Sequence, residues 1–408
     1  MKIPRLVILA CAFATSASAL DWPQWRGPDR NDFSKETGLL KEWPADGPKQ
    51  TWLFKNAGQG YSGPAIVGGK LFTLGTREGQ EILLALDANS GKELWTAPLG
   101  SILGNGWGDG PRSTPAVDGG KIYAMSGPGV LACVNAADGK EVWTTKMSDA
   151  GGKVPGWGYT ESPLVDGDQV VVTPGGEKGA IAAYDKATGK LLWQSKDFTD
   201  GAQYSSIVAA TINGEKQYVQ LTMQSVVGIS PKDGAVLWKH PFPGRTAVIP
   251  TPLVRDNQVY VTAGYGVGCI ALKIEPGNKV SVAYENKVMK NHHGGVILVG
   301  DSVYGHSDGN GWVSQDWKTG EQKWSEKNKL GKGAIGYADG MLYCLDEGSG
   351  TVALVEASPN GWNEKGRFKL DPQTAIRNPQ GRIWTHPIIV NGRLYLRDQD
   401  LIYCYAVK

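Results

Sequence analysis

Ala183-Tyr-Asp-Lys-Ala-Thr-Gly-Lys-Leu-Leu-Trp193 decides how this chain is read, because near-copies of it recur from one end to the other. Residues 85–95 repeat it with Asp87, Ser90 and Gly91 in register, and residues 314–324 repeat it with Asp316, Thr319 and Gly320. Residues 133–143 and 228–238 keep the Gly and the Trp. The chemistry is that of a tight turn between two strands. An Asp carboxylate accepts backbone N–H groups, and a Gly four residues on supplies the left-handed position. Apolar strands lead in, as at Ile181 to Tyr184, and a short strand leads out to the Trp. The small residue opening each copy (Ala85, Cys133, Ala183, Gly228, Ala271, Ser314) implies close approach of a neighbouring sheet. A Trp this regular reads as a packing anchor, with Trp52, Trp95, Trp143, Trp193, Trp238 and Trp324 as the set.

Around this turn the rest of the repeat falls into place. Each unit opens with Ser/Thr-Pro and a short strand, then a polar turn, then a strand with an aromatic residue. Eight such units occur, with second-strand positions at 72, 123, 171, 218, 260, 304, 343 and 395, spaced 39 to 52 residues apart. That spacing suits four short strands and their turns. Tyr284 and Phe368 stand for the Trp in the fifth and seventh units. The last unit supplies three strands and stops, so residues 51–54, with Trp52, are expected to complete it. Pairing the chain ends in this way removes exposed sheet edges. The expectation is an all-β, eight-bladed β-propeller of four-stranded antiparallel blades spanning residues 51–408. A non-repeat segment at 20–50, carrying Trp22 and Trp25, is expected to lie across one face.

Composition agrees. The 56 Gly and 23 Pro among 408 residues make about a fifth of the chain, against the ~12% of average usage. Residues 1–19 read as a secretory signal peptide, with Lys2 and Arg5, an apolar run and Ala17-Ser18-Ala19. A lipoprotein reading through Cys11 leaves about four apolar residues before the cysteine, short of the usual ~7–15. No later run approaches the ~20 apolar residues of a membrane span. Removing two of the 42 basic residues leaves them equal to the 40 acidic ones, which argues against nucleic acid or an anionic membrane as partner. Cys133, Cys269, Cys344 and Cys404 sit singly inside strands and read as buried small hydrophobes.

Ala-x-Asp-x-x-Thr-Gly-x-x-x-Trp resembles the tryptophan-docking motif of the quinoprotein, or PQQ-like, propellers, a superfamily holding PQQ-dependent alcohol dehydrogenases and the outer-membrane assembly lipoprotein BamB. Trp22-Pro-Gln-Trp-Arg-Gly-Pro28, Asn291-His-His-Gly-Gly295 and Arg397-Asp-Gln-Asp400 resemble the exported PQQ-binding-like repeat proteins of planctomycete-type bacteria. The resemblance implies three functions: a non-catalytic binding or scaffolding module, a PQQ- and Ca²⁺-dependent dehydrogenase of alcohols or sugars, or a BamB-like scaffold. The enzymes of this group hold PQQ beneath a vicinal disulfide, and this sequence has no Cys-Cys pair. No cofactor is therefore expected.

The opening strands line the axis of such a ring. Arg112, Glu161, Arg245, His292, His293, Lys332, Trp384 and His386 occupy that place and are the candidate ligand-binding residues. Tyr61 and Tyr204 share it. Two readings stand: contact with water in a funnel, or an axial site for an anionic small molecule or carbohydrate. His292 and His293 are adjacent on a strand and face opposite ways, which argues against one shared metal ion, and no catalytic set is evident. The expected partners are a small molecule or an envelope protein, the chain itself being a monomer.

Overall fold

The computed structural model describes residues 20–408; the leader reading at 1–19 lies outside the described residues. The described residues form strands and turns without a helix, arranged as an eight-bladed β-propeller. Blades one to seven cover 65–101, 116–146, 164–194, 208–241, 253–286, 296–326 and 333–369. Blade eight takes three strands from 388–406 and its outer strand from Gln50–Phe54, which pairs antiparallel with Leu401–Ala406. The ring is thus closed by the two ends of the chain.

The alternation of small and large residues explains why each blade packs. Across blade one the partners run Ala65, Phe72, Ala85, Trp95; across blade two they run Ala116, Tyr123, Cys133, Trp143. Blade six repeats the row as Ile297, Tyr304, Ser314, Trp324, and blade eight as Ile388, Tyr395, Cys404, Trp52. The small residue pairs with the Trp across the strands and packs against the next blade, as expected of a place where a neighbouring sheet comes close: Ala183 lies among Tyr218, Val227 and Ile229, and Ala85 among Ile122, Ala124 and Val134.

A β-bulge beside each Trp re-aims it. Ala183 pairs with Trp193 but Tyr184 pairs with Leu191, leaving Leu192 as the extra residue. The Trp193 ring then reaches the next blade, where Nε1 donates to the Pro231 carbonyl at 3.1 Å and the ring stacks on Tyr218. A Cβ on Gly234 of that blade would lie 2.5 Å from the ring. Trp143 meets Gly189 and donates to the Lys186 carbonyl in the same way, and Trp52 meets Gly91 and the Ala88 carbonyl. The turn beneath is built as its sequence implies: Asp185 Oδ1 accepts from Thr188 N at 2.8 Å and from Thr188 Oγ1 at 2.7 Å. Trp238 departs from the pattern, because Gly228 opposite it leaves room for its ring over its own blade, where Nε1 donates to Gln217.

The segment at 20–34 does more than lie across a face. It enters the axis from the end where each blade's first and second strands turn. Trp22 exchanges two backbone hydrogen bonds with Ile66 of blade one, and the Pro23 carbonyl accepts from Val117 of blade two. Arg30 donates to the Ser162 and Pro163 carbonyls ahead of blade three, Trp25 Nε1 to Thr251 Oγ1 ahead of blade five, and Arg26 to the Val296 carbonyl of blade six. Phe33–Ser34 adds a parallel fifth strand to blade seven, and Asp32 meets His386 ahead of blade eight at 2.7 Å. Arg26 Nε lies 2.7 Å from Asp32 Oδ2, both side chains almost fully buried. The segment is a plug, and it turns an open channel into a closed-ended one.

Candidate functional site

With one end plugged, the axis keeps a pocket at the other, walled by the segments that lead from each blade's outer strand to the next blade's inner strand. Its empty space, open mouth included, is about 920 Å³. Trp25 of the plug, Tyr61, Trp107 and Trp157 line it, together with Tyr204, Tyr265 and Trp384. Thr160, Ser162 and Ser206 supply hydroxyls. The Ser/Thr that open the repeats also lace neighbouring blades together: Thr114 N donates to Ser162 Oγ at 2.9 Å, and Ser162 N to Ser206 Oγ at 3.1 Å.

Of the eight candidates read from sequence, the wall holds Arg112, His293 and Trp384. Arg112 lies with its guanidinium carbon 4.6 Å from the Tyr61 ring centroid. Its Nε donates to the Trp157 carbonyl at 2.9 Å and its Nη2 to the Gly108 carbonyl at 2.7 Å, which fixes the two Trp-bearing loops. Among the described residues Nη1 has no hydrogen-bond partner. Burial lowers the Arg112 pKa, opposed by Tyr61. His293 stacks on Trp384 with centroids 4.5 Å apart and planes 18° from parallel. Burial, then the charges of His292, Lys332 and Arg112, hold His293 well below the usual histidine pKa, so it is neutral at pH 7. His293 Nδ1 and Trp384 Nε1 are buried without a partner.

The other five candidates are placed outside the pocket wall, which corrects the expectation that all eight line one axial site. Glu161 is buried behind the wall, its carboxylate accepting from Thr173 N at 2.6 Å, from Thr173 Oγ1 and from Gln220 Nε2. Burial raises its pKa to about 7, against the pull of the Thr173 hydrogen bonds and Arg30. Arg245 is exposed in the loop ahead of blade five and does not line the pocket. His292 and Lys332 both turn to Asp308, at 2.5 Å and 3.2 Å. Burial pushes the Asp308 carboxyl up, but the His292 hydrogen bond and the Lys332 charge outweigh it and hold it well below its ordinary range. His386 spans Asp32 and the His293 carbonyl, with its ring 4.6 Å from Trp25. It thereby ties the plug to the pocket wall.

Sequence reasoning missed Trp107, Trp157 and Tyr265. A signal was present: Gly106-Trp107-Gly108 and Gly156-Trp157-Gly158 repeat one tripeptide in the loops ahead of blades two and three. Behind the first loop, Glu81 accepts from Leu103 N at 3.0 Å and Gly127 N at 2.8 Å, holding the loop in place.

Eight blades, six of them ending on Trp, around an axial pocket make a PQQ-like β-propeller. Residues 78–326 match the family described as outer membrane protein assembly factor BamB, and the chain belongs to that family. Among solved structures it is similar to BamB from Moraxella catarrhalis, with 16% identity and a TM-score of 0.62 over 88% of this chain and 97% of that one. It is also similar to the quinohemoprotein alcohol dehydrogenase of Comamonas testosteroni, with 13% identity and a TM-score of 0.60 over 97% of this chain and 81% of that one. The computationally designed protein Ika8 is 12% identical with a TM-score of 0.59, over 88% and 100%. At these identities the likeness is one of fold. No curated protein matches the chain in sequence.

The wall does not fit PQQ held by a divalent cation. That quinone carries three carboxylates, whereas Arg112 is the one charged side chain facing the pocket among the described residues, and no Asp or Glu lines it as a metal ligand.

Proposed function

We propose that this chain is an exported binding propeller without catalytic chemistry of its own, whose axial pocket takes an anionic small molecule or an acidic carbohydrate unit. The observation that carries the reading is Arg112, a guanidinium with an unused Nη1 in an aromatic pocket that holds no countercharge. A lone cation of this kind favours an anion. The leader-like residues 1–19 support export.

Calorimetric titration of the purified protein with carboxylated and neutral ligands tests the proposal. Binding of carboxylated ligands that weakens with salt and with Arg112→Gln, and is unchanged by Arg245→Ala, is the expected outcome. Affinity indifferent to Arg112 refutes the axial site. The match over 78–326 supports a second reading, a scaffold in outer-membrane protein assembly, monomeric and docked to an envelope protein. Reconstitution with PQQ and Ca²⁺ followed by dye reduction tests the third, a dehydrogenase; turnover of an alcohol or sugar would replace the binding reading.

A further inference from the structure

We infer that the axial pocket selects a flat aromatic ring bearing a single carboxylate, and that it rejects both neutral sugars and organic cations. The inference rests on the reading of the pocket as an anion site and narrows the ligand by three independent features of its wall.

The first feature is shape. His293 stacks face to face on Trp384, with planes 18° apart, and Tyr61 tilts 42° against the same indole at 4.9 Å, so this side of the pocket is a run of aromatic faces and edges. Planar faces gain most from a planar guest in offset or edge contact. The second is the donor and acceptor inventory. The wall contains no Asp, Glu, Asn or Gln. Ser162 and Ser206 already accept backbone N–H groups, while Thr160 and Tyr61 donate to the carbonyls of Tyr204 and Trp107. A pyranose would bring several hydroxyl donors to a wall that offers them neutral hydroxyl oxygens but no carboxylate or amide, and each donor buried unpaired carries a desolvation penalty. The wall instead has a charged donor to spare, Arg112 Nη1, since only Nε and Nη2 of that guanidinium are bonded to carbonyls. Such a wall suits a guest that brings acceptors.

The third feature is charge. An aromatic box alone would welcome a quaternary or primary ammonium group. Here the Arg112 guanidinium already sits over the Tyr61 face, and the nearby carboxylates are turned away, Glu81 onto backbone amides and Glu161 onto Thr173. A second cation would meet uncompensated repulsion. One guanidinium balances one carboxylate, which sets the charge of the guest.

The test is calorimetric titration of the full chain with four probes: naphthalene carboxylate, its neutral alcohol isostere naphthalene methanol, its cationic isostere naphthalene methylammonium, and glucuronate. The carboxylate should bind roughly tenfold or more tighter than each of the others, the ordinary worth of a charge-assisted hydrogen bond. In Arg112→Gln its advantage over the alcohol, read as the ratio of the two affinities, should vanish, because loss of the Trp157 and Gly108 carbonyl contacts weakens both probes alike while loss of the charge weakens only the carboxylate. If that variant fails to fold, wild-type protein decides: added salt should weaken the carboxylate and leave the alcohol unchanged. Glucuronate binding as tightly as the aromatic acid, and dependent on Arg112, overturns the aromatic inference but keeps the anion site. Tightest binding of the ammonium probe, or no binding of any probe, overturns both.

Discussion

Gly234→Ala tests how the blades are held together. Gly234 has φ of +75°, and a Cβ there would lie 2.5 Å from the Trp193 ring of the preceding blade. Two costs therefore add. A non-glycine residue in the left-handed region costs about 1 kcal/mol, and pushing a packed ring aside costs about 1–3 kcal/mol more. Gly167 separates the two, because it also has positive φ, +58°, but its Cβ would meet nothing within 4 Å. Gly167→Ala should cost about 1 kcal/mol and Gly234→Ala about 2–4 kcal/mol. Trp193→Ala alone should cost about 3 kcal/mol, the low end for an aromatic truncation, because the ring is only partly buried. In the Trp193→Ala background the extra cost of Gly234→Ala should disappear, giving a coupling of about 1–3 kcal/mol in a double-mutant cycle. Urea denaturation midpoints of the four proteins measure it. Equal costs at the two glycines, or a Gly234 effect that survives loss of the Trp, would show that the ring does not staple one blade to the next.

Deleting residues 20–54 removes the plug and the outer strand of blade eight together, so the product should aggregate or melt far lower; light scattering and a thermal melt would show otherwise if the truncated chain stayed monomeric and equally stable. Arg26→Ala strips Asp32 of its buried ionic partner and should destabilise by about 3–5 kcal/mol; a chemical melt within error of wild type would mean the Arg26 contact is dispensable. Burial raises the Glu161 carboxyl from 4.5 to about 7, so the folded state keeps a proton that the unfolded chain has released. Its contribution is complete below pH ~4.5 and is lost as pH rises through 7, up to about 3 kcal/mol. The stability of wild type relative to Glu161→Gln should therefore fall between pH 5 and 8, and a difference that ignores pH would contradict the assignment.

The ring was legible because its signals are local: Asp, Thr and Gly build one turn within five residues, and the Trp follows at fixed distance. Ring closure followed from counting, since three strands at 384–408 left one to be found at Gln50–Phe54. The bulge at Leu192 was not legible, because a pairing shift leaves no mark of its own on composition. The candidate site was legible only in phase. Repeat position placed Arg112, His293 and Trp384 on the axis, but side-chain partners come from other blades. Nothing around Lys332 or His292 in sequence announces Asp308, and nothing near His386 announces Asp32, 354 residues away. The plug escaped because 20–34 belongs to no repeat, so periodicity gave it no coordinates.

The outer strand of blade eight is made near the start of the chain and its partner at the very end; Thr51 and the Cys404 carbonyl it bonds are 353 residues apart. At ordinary synthesis rates the early strand waits on the order of half a minute for the late one, with its hydrogen-bonding edge unpaired. Seven four-stranded blades can assemble from neighbours in sequence, but the eighth depends on a strand pairing that closes a loop of 353 residues. Joining the chain ends and opening it between two other blades should therefore give a permutant whose last step is short-range and faster, while its folded ring stays the same. The latch makes the finished ring edgeless, and it also makes the nascent chain most vulnerable to strand capture by another copy until its final residues emerge.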